Sequence, residues 1–115
     1  MPSILNGLFS GRAGLTSHGI ALAVIGDNIA NVNTIGYKSS RAEFSDLIAG
    51  KSSDVTVGVG SSITRTTSIF EQGTLELTGR DLDVAIDGNG YFVVQNTTGA
   101  KFYTRAGNFK VSSDG

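Results

Sequence analysis

Asp27-Asn28-Ile29-Ala30-Asn31-Val32-Asn33-Thr34-Ile35-Gly36-Tyr37-Lys38 is where one periodicity ends and another begins. Asparagines and an aspartate crowd the last turns of a helical pattern, where short polar side chains compete for backbone hydrogen bonds. Asn28 and Asn31 are three apart and share a helix face. Gly36 stands where a helix stops in the left-handed conformation, and Tyr37-Lys38 opens a non-helical segment. Asn28, Asn31, Asn33, Thr34, Gly36, Tyr37 and Lys38 are therefore a candidate helix exit that sets the angle of the next segment. An ordinary polar loop is the plainer alternative.

Upstream, residues 3–33 repeat with a helical period. Leu8, Leu15, Leu22 and Ile29 lie seven apart, and a second row, Ile4, Gly11, His18, Ile25 and Val32, is offset from them by three or four. That is the alternation of a coiled-coil seam, and Leu8, Leu15, Leu22, Ile25 and Ile29 are the candidate helix–helix contacts. At ~1.5 Å per residue the helix would be roughly 45 Å long. Gly7, Gly11, Gly14, Gly19 and Gly26 each cost about 1 kcal/mol relative to Ala, and solubilising charges beside the seam are almost missing. Such a helix is unstable alone and suits close packing against other helices. A buried helix of one globular domain is the alternative.

Downstream the period becomes two. Val55, Val57 and Val59 alternate, as do Leu75 and Leu77, and Leu82-Asp83-Val84-Ala85-Ile86 is apolar at every second position. Tyr91 to Val94 and Phe102-Tyr103 complete a set of short strands, punctuated by glycine turns. Asp87-Gly88-Asn89-Gly90 carries the strongest hairpin-turn signal, since glycine and asparagine tolerate positive φ. Ser39 to Gly60, rich in Ser and Gly, is the expected connector. The expected fold class is α+β, in three parts. Residues 1–38 are a long coiled-coil-like helix with its exit, 39–60 an extended connector, and 61–115 the first part of an antiparallel β domain. The sequence stops on Ser112-Ser113-Asp114-Gly115, a turn signal directly after a strand, so the sheet is expected to continue beyond it.

Composition narrows the function classes. The 115 residues carry a net charge of −1 with scattered basic residues, which gives no electrostatic footprint for nucleic acid or an anionic membrane. Without cysteine there is no disulfide, thiolate nucleophile or zinc–sulfur site. The N-terminus lacks the charged and apolar regions of a secretory signal, and no apolar run approaches the ~18–20 residues of a membrane span.

No motif assembles a catalytic, cofactor or metal site. Gly58-Val59-Gly60 and Gly88-Asn89-Gly90 lack the third glycine or the Lys-Ser/Thr pair of a phosphate loop. Asp81, Asp83 and Asp87 do not fit a calcium-loop register and are expected on a solvated strand face opposite Leu82, Val84 and Ile86, with weak extracellular-type calcium binding as the alternative. His18, the single histidine, has no acidic residue three or four positions away and is expected at a packing contact. Asn96-Thr97-Thr98 matches a glycosylation acceptor without a secretory context.

Ile25-Gly-Asp-Asn-Ile-Ala-Asn-Val-Asn-Thr-Ile-Gly-Tyr-Lys38, followed by Arg41-Ala-Glu-Phe44, resembles the N-terminal signature of the bacterial flagellar rod and hook family. Asp27 stands where that pattern usually has asparagine. Gln72-Gly-Thr-Leu75, Thr78-Gly-Arg-Asp-Leu-Asp-Val-Ala-Ile-Asp-Gly-Asn-Gly-Tyr-Phe92 and Tyr103-Thr-Arg-Ala-Gly-Asn-Phe109 resemble the first β domain of the family's hook and distal rod branches. The short stretch Ile48 to Gln72 between the two segments favours the hook branch, with the distal rod as the alternative.

The resemblance implies a structural subunit of the flagellum, exported by the type III apparatus without a cleaved signal peptide. It implies polymerisation with copies of itself into a helical tube, a bendable joint between motor and filament. The N-terminal helix would pair with a C-terminal helix in an inner layer, under an outer β layer. The implied partners are rod and hook–filament junction proteins, the hook cap and the export apparatus, with no nucleic acid, membrane insertion, cofactor or enzymatic activity. Two rival classes are a small hydrolase using His18 or the acidic cluster, and a cell-surface β module with an anchor helix.

Overall fold

The computed structural model describes residues 3–52 and 55–114. The side chains of Ser3 and of residues 49–56, Val55 among them, lie outside the described residues, as do Met1, Pro2 and Gly115. The chain divides into two compact units, one of Met1–Ala30 with Ser39–Ile69, the other of Asn31–Lys38 with Phe70–Gly115.

The first unit is a 28-residue helix, α1 (Ser3–Ala30), packed on a long antiparallel hairpin of β1 (Ser40–Ser52) and β2 (Val55–Ser68). The stretch 39–60, expected as a connector, thus forms β1 and part of β2. Its Ser and Gly content conceals this, because a two-stranded ribbon needs backbone pairing more than a continuous apolar face. The ladder runs from Ser40 opposite Ser68 to Ser52 opposite Val55, with irregularities at Glu43/Phe44, Asp46/Ile48 and Ile48/Lys51. Such bulges bend and twist a ribbon locally.

The helix meets the hairpin through small side chains. Asn6, Ser10, Ala13, Gly14, Ser17, Ala21, Val24 and Asn28 are its less exposed positions, spaced three and four apart along one face. Ser17 is buried, 3% exposed, and its Oγ donates to the Ser61 carbonyl at 2.8 Å. Gly60 has φ +107°, and a Cβ there would lie 2.9 Å from Ala13 Cβ and 3.0 Å from the Ser10 carbonyl oxygen. Backbone contact of this kind explains how a glycine-rich helix persists, since packing outweighs propensity. His18 extends to the Phe44 ring, the centroids 5.3 Å apart.

By length and composition alone, α1 is apolar enough to cross a membrane, contrary to the absence of a span in the sequence reading. Glycines and serines break the consecutive apolar run, but they carry no charge and offset little of the helix's hydropathy.

The second unit contains the small hairpin β3 (Phe92–Gln95) and β4 (Lys101–Thr104), Phe92 opposite Thr104 and Gln95 opposite Lys101. Asn96 organises its turn: Oδ1 accepts from the Thr98 and Ala100 amides and from Thr98 Oγ1. The expected strands at Leu75/Leu77 and 82–86 are not formed. Residues 70–80 are all exposed, Leu77 at 97%, and 82–86 contributes one antiparallel bridge, Asp83 with Asn108. An alternating segment becomes a strand only when another backbone pairs with it. Among the described residues no apolar side chain is fully buried.

Candidate functional site

Heptad spacing places Leu8, Leu15, Leu22 and Ile29 on one line of α1, and all four are exposed, Leu15 at 79% and Leu22 at 68%. Ile4 and Ile25 flank them, exposed as well. From Leu15 to Ser17 is about 200° of helical rotation, so this row lies opposite the small-residue face that meets the hairpin. The seam residues of the sequence reading therefore keep half or more of their surface exposed, from Ile25 at 51% to Leu15 at 79%. Beside α1 a cleft of about 400 Å³ is walled by Phe9, Ile20, Leu47 and Ile63, with Arg12 as its charged lining residue.

At the helix exit, Asn28 belongs to the first unit and grips the start of β1. Its Nδ2 donates to the Ser40 carbonyl at 2.7 Å, and its Oδ1 accepts from the Ser40 amide at 2.9 Å. In the second unit, Asn31 opens a tight turn: the Thr34 amide donates to its carbonyl and Thr34 Oγ1 to its Oδ1, each at 3.0 Å. The Tyr37 amide donates to the Thr34 carbonyl at 3.3 Å. Gly36 has φ +74°, and a Cβ there would meet the Ala106 amide nitrogen at 2.6 Å. Lys38 Nζ lies 4.9 Å from the Tyr91 ring centroid, within cation–π reach. Asn33 is exposed.

The expected hairpin turn at Asp87, Gly88, Asn89 and Gly90 is instead a loop held from outside by Arg105. The residues before it are not laddered to β3, so its carbonyls find a guanidinium in place of cross-strand amides. Arg105 Nη1 donates to the Gly90 carbonyl at 2.5 Å. Its Nη2 is shared among the carbonyls of Gly88 and Ile86 and Gln72 Oε1, at 2.5, 2.9 and 2.7 Å. Gln72 Oε1 also accepts from the Gly88 amide at 3.1 Å. Nothing in the sequence periodicity flags Arg105; the available signal is a lone fork-shaped donor in Tyr103 to Phe109, near a carbonyl-rich glycine loop.

Of the acidic cluster, Asp81 and Asp87 are exposed as expected and Asp83 departs. Asp83 turns inward, its side chain 17% exposed, accepting from Thr78 Oγ1 at 2.7 Å and pairing with Arg80 at 3.8 Å. Leu82 and Val84, expected on the covered face, are exposed as well. Local bonding at the Thr78–Asp83 turn overrides the period-two pattern because 82–86 is not a strand. No cluster of metal-ligating side chains occurs among the described residues.

Two family descriptions match: "Flagella basal body rod protein" over residues 10–38 and "Flagellar hook protein FlgE/F/G D1 domain" over residues 85–115. The flagellar hook protein FlgE of Escherichia coli K12 is 43% identical over 89% of this chain and 24% of its own length. The flagellar basal-body rod protein FlgG of Bacillus subtilis is 39% identical over 97% of this chain and 47% of its own. The hook protein FlgE of Helicobacter mustelae is 38% identical over 97% of this chain and 28% of its own. The chain thus spans a quarter to a half of these relatives. With the exit motif inside the first matched segment and most of the Arg105-bound loop inside the second, the chain belongs to the flagellar rod and hook protein family.

Proposed function

We propose that the chain is part of a structural subunit of the bacterial flagellar hook, polymerising with copies of itself into a flexible tube between rod and filament. The carrying observation is the exposed row Leu8, Leu15, Leu22, Ile25 and Ile29 on a helix whose opposite face is already packed. A row of that spacing fits another helix, from a neighbouring copy or from a C-terminal segment of the same subunit. In this reading Asn28, Asn31, Asn33, Thr34, Gly36, Tyr37 and Lys38 form the junction leading from the assembly helix towards the β portion. The loop Asp87 to Gly90 is a structural turn of that portion.

The chain acts by assembly and not by catalysis. Its working partners are rod and hook–filament junction proteins, the hook cap during growth, and the type III export apparatus that delivers it without a cleaved signal. Hook names recur among the relatives, which favours this reading. The identity to a basal-body rod protein keeps the distal rod as the second reading.

Electron microscopy of basal bodies from cells lacking the gene separates the two. Complete rods without hooks are expected for a hook subunit. Rods that stop short of their full length would show a distal rod protein instead, and intact hooks would overturn both.

A further inference from the structure

Asn89 is followed by Gly90 and sits in an exposed bend. Of the chain's asparagines only Asn6 and Asn89 precede glycine; the others precede Ile29, Val32, Thr34, Thr97 or Phe109, whose side chains crowd the following amide. Asn6 lies in α1, where helical geometry holds the Gly7 amide in the backbone ladder. Asn96 spends its Oδ1 on three donors, whereas no hydrogen bond among the described residues holds the Asn89 side chain. Gly90 adopts φ +138° and carries no Cβ to shield its nitrogen.

We propose that Asn89 is a site of spontaneous covalent modification, deamidation through a succinimide with Gly90, and that the Arg105 clasp sets its rate. The deprotonated Gly90 amide nitrogen attacks Asn89 Cγ, forming a C–N bond. The Cγ–Nδ2 bond breaks and Nδ2 departs as ammonia, taking up the proton. Water then opens the ring. Cleavage on the Cγ side leaves aspartate, and cleavage on the main-chain carbonyl side leaves isoaspartate, with the chain routed through Cγ. Arg105 binds the carbonyls of Gly88 and Gly90, the two residues bracketing Asn89. Ring closure needs rotation about the Asn89 backbone, so the loop reacts from a locally opened state in which that grip is released. Either product places a carboxylate beside Arg105. The isoaspartyl form also lengthens the main chain between the two clasped carbonyls, so the guanidinium no longer spans them.

The test incubates the protein at mildly alkaline pH and follows the Asn89 and Asn6 peptides by mass, with isoaspartate detected by enzymatic methyl labelling. Asn89 should convert much faster than Asn6. Arg105→Lys keeps the charge but loses the fork, and should accelerate Asn89 about ten-fold, as loss of a charge-assisted restraint implies. Asn6 should keep its rate. Gln72→Ala, which removes the second anchor of the loop, should act in the same direction if Arg105→Lys does not fold. An Asn89 no faster than Asn6 overturns the site. Equal acceleration of both asparagines, or none at Asn89 in either variant, overturns the role of the clasp.

Discussion

Asn28 treats Ser40 as a β-strand partner would, donating to its carbonyl at 2.7 Å and accepting from its amide at 2.9 Å. One side chain on the last turn of α1 thereby fixes where β1 begins, twelve residues later. The Ile69 amide then donates to the Ser39 carbonyl at 2.8 Å, continuing the pairing at the open end of the hairpin. Replacing Asn28 by Ala leaves both Ser40 groups without this partner in a partly buried position. We expect a loss of about 1–3 kcal/mol of unfolding free energy, read as a lower urea midpoint. Asn28→Asp keeps the acceptor but faces a carboxylate to the Ser40 carbonyl, so it should not rescue. A midpoint unchanged in Asn28→Ala would show that the contact is incidental.

The approach of α1 to β2 depends on a missing side chain at Gly60. A methyl group there would sit 2.9 Å from Ala13 Cβ, and the backbone already occupies positive φ. Gly60→Ala should therefore destabilise the first unit by about 1–3 kcal/mol, combining overpacking with backbone strain. Adding Ala13→Gly removes only the contact with residue 13 and leaves the Ser10 carbonyl oxygen 3.0 Å away and the positive φ unchanged, so the double variant should recover partially at best. Full recovery in thermal denaturation would mean that both the Ser10 contact and the conformational strain at residue 60 are negligible.

The heptad row makes α1 legible in the sequence, and the asparagine run followed by Gly36 marks its end. Which face α1 packs inward was not legible. Large apolar residues are ordinarily assigned to the interior, yet here Ser10, Ala13, Ser17 and Val24 meet the hairpin while Leu15 and Leu22 stay exposed. Small residues win that face because β2 approaches at backbone distance, a property of Gly60 that no periodicity in α1 reports. The hairpin itself is concealed by serine, threonine and glycine on both faces. The period-two signals at Leu75/Leu77 and 82–86 are present without strands, since pairing depends on a second backbone. Arg105 is invisible for a related reason: its partners lie 15 to 33 residues away in sequence.

Gly107 is buried, and its carbonyl accepts the Val84 amide at 3.0 Å. A Cβ on residue 107 would fall within covalent distance of the Val84 carbonyl oxygen and 3.0 Å from Phe92 Cε2. Gly107→Ala must therefore break the Asp83–Asn108 bridge or displace Phe92 from its edge-on contact with Phe109, whose centroid lies 5.4 Å away. We expect at least about 3 kcal/mol of destabilisation, beyond the usual range for a single methyl group. Amide exchange resolves the effect by unit: protection should fall in β3 and β4 while β1 and β2 keep theirs. Unchanged protection across β3 and β4 would contradict the close approach of Gly107 to Val84.

Leu15 and Leu22 give the sharpest separation between folding and assembly. Both lie on the side of α1 away from the hairpin and are mostly exposed, so they contribute little packing within their unit. Substituting both with Glu should leave the unfolding free energy of the isolated protein within about 0.5 kcal/mol of the parent, as for surface positions generally. The same change places two carboxylates on the seam proposed for helix pairing, where desolvating an unpaired charge costs several kcal/mol. Polymerisation of the full-length subunit should therefore be abolished while soluble, folded subunit accumulates. Light scattering reports the first and circular dichroism the second. Leu5, an exposed leucine of α1 outside the heptad row, serves as the control, because its replacement adds the same charge without entering that row. Polymers of normal yield from the Leu15→Glu, Leu22→Glu protein would remove that row from the interface. Loss of helical signal would instead show that α1 needs these leucines for its own folding.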